Sequence, residues 1–142
     1  MKVYQPAGAR AEFYDRNPKT ITLSYAVTGV APHSNTQRAT YTVPAGRKAR
    51  VTTAKLTHLR TTAATTAGIV LAYAQLTPVG ASAGILYLTQ SLNGAVGAGD
   101  ELNAQGQAVL LAGDQIALYT ADVSTGGTVN YDLYLHLTEF DA

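Results

Sequence analysis

The feature that most constrains this chain is a strict alternation of apolar and polar residues near its C-terminus, in the sequence TVNYDLYLHLTEF (128–140). Successive side chains of a β-strand point to opposite faces, so this period of two predicts a strand with one buried face. The side chains predicted to face inward are Val129, Tyr131, Leu133, Leu135 and Leu137. Those predicted to face outward are Asn130, Asp132, His136 and Thr138. The sequence TITLSYAV (20–27) repeats the pattern, which predicts a second half-buried strand.

Further strand-like segments follow one another along the chain, separated by turn sequences rather than by helical periodicity. They are predicted at 36–43, 48–60, 68–77 and 85–90, with two short strands joined as a hairpin at Ala112-Gly113-Asp114. Loops are predicted at 29–35, 44–46, 78–84 and 93–100, where Pro, Gly and Asn accumulate. We therefore expect an all-β fold, an antiparallel β-sandwich of about eight strands that is jelly-roll-like. An immunoglobulin-like sandwich is the alternative.

The N-terminal residues differ from the rest because Pro6 and Pro18 oppose regular structure and no period is sustained. We expect an extended N-terminal arm (1–19) followed by one sandwich domain (20–142). A terminus that touches nothing is the alternative, since disorder concentrates at chain ends. If the arm docks on a neighbouring protein, aromatic anchors and arginines carry the contact. These candidate capsid-contact residues are Tyr4, Arg10, Phe13, Tyr14 and Arg16.

Charge is scarce in this chain. Only 13% of the residues are charged, about half the usual share of roughly 25%. The net charge of +1 predicts no extended positive surface that would attract nucleic acid or an anionic membrane. The hydrophobic share of 46% excludes disorder for most of the chain. A surface so poor in charge favours burial against neighbours, so we expect a homodimer or homotrimer.

No membrane or export segment is expected. The longest apolar stretch (67–74) is far shorter than the ~20 residues that span a bilayer as a helix. The first ten residues lack the apolar core of a secretory signal.

Residue types that perform chemistry are present but isolated. No two of His33, His58 and His136 stand at metal-ligand spacing, and we expect them to be solvated on strands. Asp100 and Glu101 are adjacent, so on a strand they would point to opposite faces, and we expect a solvated loop. Cysteine is absent, and so are a G-x-S-x-G nucleophile motif and a phosphate-binding G-K-[ST] sequence. We expect no enzyme, no metal site and no cofactor.

The densest basic cluster comprises Arg47, Lys48, Arg50, Lys55 and Arg60. If the strand that carries it is unbroken, Arg50 and Arg60 share one face with His58. Single-stranded nucleic acid is usually bound where such charges are interleaved with aromatic rings. No aromatic residue occurs between Tyr41 and Tyr73. A solvated or subunit-facing strand edge is therefore the prediction for this cluster.

Three motifs resemble sequences of bacteriophage virion proteins. They are YTVPAGRKA (41–49), which leads into a long strand, LLAGDQI (110–116), which forms a tight turn, and the closing LTEF (137–140). Together they resemble the small jelly-roll proteins that decorate or cement tailed-phage capsids, over about residues 36–140. The motifs also resemble those of some tail and neck proteins.

The resemblance implies a virion structural protein on the capsid surface, assembled in the host cytoplasm. Its implied partners are the major capsid protein and further copies of itself at symmetry axes, and it transfers no catalytic residues. A tail, neck or baseplate protein is the alternative. A carbohydrate-binding jelly roll is a second alternative, in which Tyr119 or Tyr134 would stack on a sugar.

Overall fold

The structure is a computed structural model and describes residues 16–106 and 108–142. Within these ranges the regular structure consists of nine β-strands and no helix. The strands are β1 (Lys19–Val30), β2 (His33–Thr42), β3 (Arg47–Thr62), β4 (Val70–Thr77), β5 (Gly84–Ser91), β6 (Gly99–Ala104), β7 (Val109–Leu110), β8 (Gln115–Asp122) and β9 (Thr128–Asp141). The described part of the chain therefore contains no helix that is able to cross a membrane.

The strands form two antiparallel sheets that pack face to face. Sheet I has the order β1-β9-β3-β6, with β7 also paired to β3, and sheet II has the order β2-β8-β4-β5. Because β6 and β7 share one edge position, each sheet contributes four positions. The chain crosses between the sheets at every connection except two: β4 and β5 are neighbours in sheet II, and β6 and β7 share one edge of sheet I. This strand order is that of two Greek keys, so the sandwich is a jelly roll. The predicted all-β sandwich is confirmed.

The core lies between the sheets and follows the predicted alternation. Leu133, Leu135 and Leu137 of β9 are fully buried at the centre of sheet I. Leu23 of β1 pairs with Leu135, so the two predicted half-buried strands share one apolar face. Sheet II contributes Ile116 and Leu118 from β8, together with small residues of β4. The inward-facing parity of β9 is confirmed from Val129 to Leu137.

Two predictions about local structure are wrong. The expected hairpin around Gly113 does not form, because β7 pairs with β3 in sheet I whereas β8 lies in sheet II. The predicted loop at 93–100 ends two residues early, since β6 begins at Gly99 and pairs with Leu59 of β3. The predicted strand at 48–60 is confirmed within β3, but the strand is not unbroken, because its register shifts between Val51 and Thr53. This bulge adds one residue to β3. As a result, odd-numbered residues face the core before the bulge, and even-numbered residues face it after the bulge.

The two ends of the sandwich are built from different connections. One end, here called the tip, consists of the loops 31–32, 63–69, 92–98 and 123–127. The opposite end, here called the base, holds the loops 43–46, 78–83 and 111–114, the start of β1 and the end of β9. At the base the chain enters the sandwich through Arg16 and Asn17. The expected arm residues Tyr4, Arg10, Phe13 and Tyr14 lie outside the described residues.

Candidate functional site

The tip is a surface without charge. None of the residues in its four loops is Asp, Glu, Lys or Arg, and most are Ala, Gly, Thr or Val. Three large apolar side chains are nevertheless exposed there: Leu92 (68%), Val96 (64%) and Val123 (60%). Scattered exposed apolar residues are normal, but a group of them on one uncharged end is typical of a protein-binding surface.

Backbone hydrogen bonds join three of the tip loops to one another. The loop 63–69 occupies the middle: Ala64 N–H donates to the carbonyl of Gly94, and Thr65 N–H donates to the carbonyl of Thr125 at 2.7 Å. Thr125 N–H donates in return to the carbonyl of Thr66 at 2.9 Å. Gly94 packs so closely that a Cβ atom there would lie 3.0 Å from that of Ala64. The tip is thus held in one shape before any partner binds, which lowers the entropic cost of binding.

A buried ion pair supports the tip from below. Arg60, near the end of β3, is 1% exposed, and its Nη2 donates to Ser124 Oγ at 2.8 Å. The same nitrogen lies 3.4 and 3.5 Å from the two carboxylate oxygens of Asp122, which is also buried. Asp122 in turn accepts from the backbone N–H of Ser124 at 3.0 Å. The loop 123–127 is therefore anchored, through Ser124, to an ion pair in the interior of the sandwich.

Gly127 makes room for the guanidinium group. Its φ of +80° lies in the left-handed region, and a Cβ atom at this position would approach Arg60 Nη1 to 2.6 Å. Any larger residue would therefore face both backbone strain and a clash with the arginine. The Nε and Nη1 atoms of Arg60 have no hydrogen-bond partner among the described residues.

His58 extends this interior polar group toward sheet II. It is 2% exposed, so the prediction of a solvated histidine is wrong. Thr89 Oγ1 donates to the carbonyl of Ala72, so His58 Nδ1 donates to Thr89 at 3.0 Å and Nε2 accepts from Ser91 Oγ at 2.9 Å. This arrangement satisfies the neutral ring. Burial lowers the pKa of His58, and the charge of Arg60 lowers it further, against an opposing effect of Asp100.

The outer face of sheet II is a second uncharged surface. Its outward positions, assigned from the alternation with the core, carry amide, hydroxyl, tyrosine and aliphatic side chains. Tyr73 and Tyr119 stack at its centre with ring centroids 5.2 Å apart and an interplanar angle of 7°. Their hydroxyls donate to Asn35 and Gln37. Most charged side chains of the described residues therefore lie on sheet I and at the base, rather than at the tip or on this face.

The base concentrates ionised groups. Glu139 is 5% exposed and accepts hydrogen bonds from the Tyr41 hydroxyl and from Arg47 Nε, the latter at 3.0 Å. Arg47 also pairs with Asp141, and its Nη2 donates to the carbonyl of Asn17 at 2.8 Å. The hydrogen bond from Tyr41, together with Arg47, lowers the pKa of Glu139. Hydrogen bonds from Arg47 and Asn17 lower the pKa of Asp141.

The sequence-predicted candidates are not brought together into one site. Of the arm residues, only Arg16 is described, and its carbonyl accepts from Asp141 N–H at the base. Arg50 and Arg60 do not share a face, because the β3 bulge separates them; Arg60 is buried, so the expected solvated cluster is wrong at that residue. Asp100 and Glu101 lie on β6 rather than in a loop. Tyr119 lies on sheet II and Tyr134 on sheet I, and stacking of either ring on a sugar stays a prediction.

Metal chemistry has no assembled donor set in the described residues. No group of three or more His, Cys, Asp or Glu side chains is placed to hold an ion within 16–106 and 108–142. His136 lies on the outer face of sheet I, where its Nδ1 is 3.1 Å from Thr22 Oγ1.

Sequence reasoning missed Arg60, Asp122 and Ser124 as supports of the tip. A signal for two of them was present: Arg60 continues the inward parity of Ala54 and Leu56, and Asp122 that of Ile116 and Leu118. Nothing in the sequence indicated that these two strand ends meet, because they are separated by 62 positions and belong to different sheets.

Comparisons with known proteins identify the fold but not a family. No protein-family model matches the chain, and no curated protein matches it. A solved structure of infectious bursal disease virus, Gx strain, is 14% identical over 87% of this chain and 32% of that chain, with a TM-score of 0.50. A structure of the Gt strain is 14% identical over 87% of this chain and 33% of that chain, with a TM-score of 0.49. A structure of Eiger TNF from S. frugiperda is 12% identical over 84% of this chain and 85% of that chain, with a TM-score of 0.41.

The chain spans about a third of the length of the viral chains that it matches. At 14% identity, the similarity to the Gx strain shows a shared β-sandwich fold and nothing about activity.

Proposed function

We propose that this chain is a virion structural protein that attaches through its uncharged tip to the outside of a tailed-phage capsid and cements the major capsid protein shell. The observation that carries the proposal is the preformed tip, with Leu92, Val96 and Val123 exposed on loops that contain no charge. Burying this surface against a shell removes apolar area from water without leaving any charge unpaired.

The class of partner comes from the sequence motifs that resemble phage decoration proteins. The similarity to a structure of infectious bursal disease virus adds that a sandwich of this kind occurs in a virus structure. The proposal assigns no catalytic step and no cofactor. Repeated over a symmetric shell, even modest sites stabilise the assembly: one site contributes about 2.7 kcal/mol at a ligand concentration of a hundred times Kd.

The test compares two matched substitutions. Val96→Asp places a charge on the tip, whereas Val79→Asp places the same charge on the base at nearly equal exposure (64% and 66%). Both positions are exposed, so both variants are expected to melt as the parent does. We expect Val96→Asp to reduce the occupancy of purified, expanded phage shells about tenfold or more, and Val79→Asp to leave it unchanged.

The measurement is co-sedimentation with shells, together with the melting temperature of the shells with and without bound protein. Equal loss in both variants, or binding that neither variant affects, would contradict attachment through the tip. Failure of the unmodified protein to bind any shell would contradict the function itself. Binding to purified tails instead of shells would favour the tail, neck or baseplate alternative.

Contact with the shell through the arm residues stays a prediction. The test is removal of residues 1–15, which is expected to weaken binding to shells and to leave the fold intact. The deletion stops before Asn17 and Lys19, because Asn17 belongs to the base network and Lys19 to β1.

A further inference from the structure

The strands of sheet II turn their charged residues away from the outer face. They contain two such residues, Arg38 of β2 and Asp122 of β8. Arg38 Nε donates to the buried Thr120 at 2.9 Å, and its guanidinium carbon lies 4.6 Å from the ring centroid of Tyr25 in sheet I. Asp122 is buried beside Arg60. The outward positions of sheet II therefore carry no Asp, Glu, Lys or Arg.

Cross-strand pairing arranges the outward side chains of sheet II in rows. The central row consists of Gln37, Tyr119, Tyr73 and Leu88, one from each strand. The row nearer the tip contains Ala121, Leu71 and Gln90, and the rows nearer the base contain Thr40, Ala117, Gln75 and Ile85, and then Thr42, Gln115 and Thr77. The face is thus a continuous array of amide, hydroxyl, phenol and aliphatic groups.

The middle of this face is held in one shape. Tyr73 is only 6% exposed, although it points outward, because the parallel ring of Tyr119 lies against it. The Tyr73 hydroxyl donates to Asn35 at 2.8 Å, and the Tyr119 hydroxyl donates to Gln37 at 3.0 Å. A surface that is already ordered loses little conformational freedom when a partner covers it.

The face is large enough for a specific interface between two proteins. Its four strand positions span roughly 19 Å across the sheet, at about 4.8 Å per position. The eight residues of β4 span roughly 27 Å along it, at about 3.4 Å per residue. A surface of roughly 500 Å² on each of two copies gives about 1,000 Å² of buried area in total, which is the size that a specific interface requires.

The chemistry of the face favours a second copy as its occupant. A two-fold axis places a surface on an identical surface, so every group has to be compatible with its own kind. Amides and hydroxyls donate as well as accept hydrogen bonds and can therefore pair with themselves, whereas ionised groups repel themselves. A different protein would gain specificity from complementary charges, which this face does not offer.

The distribution of apolar residues indicates how two copies align. The β5 side of the face exposes Ile85 (56%) and Leu88 (37%), whereas the β2 side exposes Gln37 and Thr40. A two-fold axis along the central row packs β5 on β5 and β2 on β2 of the other copy, so apolar area covers apolar area. An axis along the strands would instead place β5 over the polar β2.

We propose that two copies pack face to face through the outer surface of sheet II, with the two-fold axis along the central row. Leu88 of each copy meets Leu88 of the other at one end of the axis, and Gln37 meets Gln37 at the other end. The tip loops lie beyond the ends of the strands and stay open in both copies. This inference concerns contacts between copies and does not rest on the proposed function.

The experiment uses full-length variants in the absence of shells. Leu88→Lys and Leu88→Glu each place two like charges at one end of the axis. The control, Leu59→Lys, adds the same lysine to the outer face of sheet I at similar exposure (44%). Sedimentation velocity at several concentrations gives the mass and the dissociation constant. We expect a dimer for the unmodified protein and the control, and a dissociation constant raised about tenfold or more for both Leu88 variants.

Mixing the two charge variants tests whether the occupant is a second copy. In a mixed dimer the lysine of one copy faces the glutamate of the other, so an equimolar mixture is expected to dimerise about fivefold or more tightly than either variant alone. A monomeric or trimeric unmodified protein would overturn the proposal. Leu88 variants that dimerise as the parent does, or a mixture that shows no recovery, would overturn it equally.

A second position covers the case in which the Leu88 variants fail to fold. Gln37 is exposed on the edge strand β2, so Gln37→Lys and Gln37→Glu are expected to melt as the parent does. Each is expected to weaken the dimer about two- to fivefold, because water screens charges at the rim of the interface, and their mixture is expected to recover the affinity. Absence of recovery would contradict an axis along the central row, and the proposal with it.

Discussion

The two ends of the sandwich handle charge in opposite ways. At the base, Glu139, Arg47 and Asp141 form a network at the rim of the molecule, where Arg47 and Asp141 keep contact with water. At the tip the outer loops are uncharged, and the ion pair of Arg60 with Asp122 lies inside, with exposed fractions near zero. Water screens a rim network, whereas a buried pair must satisfy its groups within the protein.

This difference teaches that the charge of Arg60 does not serve recognition directly. Its side chain fixes the loop 123–127 through Ser124, which leaves the outside of the tip free of charge. A surface intended for burial against another protein gains from this arrangement, since no ion has to lose its water when the partner binds.

The largest expected effect comes from breaking the buried pair. Arg60→Leu leaves Asp122 buried without its partner, and we expect the free energy of unfolding to fall by about 3–5 kcal/mol. The measurement is urea denaturation. Amide hydrogen exchange is expected to accelerate most at Ser124 and Thr125, which follow the pair.

The control is the double variant Arg60→Leu with Asp122→Leu, in which no charge stays buried. It is expected to regain most of the lost stability, because two apolar residues can replace a buried ion pair at little cost. If the single variant were as stable as the parent, the tip would not depend on this pair.

A smaller effect is expected at the base. Glu139→Gln keeps the shape of the side chain but removes the charge that accepts from Tyr41 and Arg47. Hydrogen bonds to a charged group contribute about 1.5–3 kcal/mol, and water near Arg47 reduces this, so we expect a loss of about 1–2 kcal/mol in urea denaturation. A loss larger than that of Arg60→Leu would reverse the comparison between the ends.

The smallest expected effect is in the pH dependence of stability, which tests the same comparison between the interior below the tip and the base. Burial lowers the pKa of His58 below its ordinary value of 6.5, so under mildly acidic conditions the unfolded chain binds a proton that the folded chain does not. Stability is expected to fall as the pH drops below about 6.5. The lowered pKa values of Glu139 and Asp141 act only in more acidic solution, below their ordinary values of 4.5 and 3.8.

His58→Gln separates the two ranges in thermal melts recorded between pH 7 and pH 3. The variant is expected to lose the decline that begins near pH 6.5 and to keep the decline at lower pH, which belongs to the base. If the upper decline persists in the variant, another group causes it.

Local alternation predicted much of the fold, because β1 and β9 each have one apolar face. The β3 bulge escaped prediction since no Gly or Pro marks it, and threonine occupies the positions where the register shifts. The hairpin prediction failed because the turn at Gly113 looks the same whether the chain continues in one sheet or crosses to the other. The tip could not be predicted, because its loops meet only through pairings between distant strands.

The broken edge of sheet I has a consequence for chains crowded at high local concentration. Exposed strand edges can recruit further strands and grow into ribbons without limit. Here the outermost position is divided between β6 and the two-residue β7, and the carbonyl of Thr52 at the bulge is taken by Gly106 N–H. The edge thus offers no long uninterrupted ladder, which discourages open-ended polymerisation when many copies gather side by side.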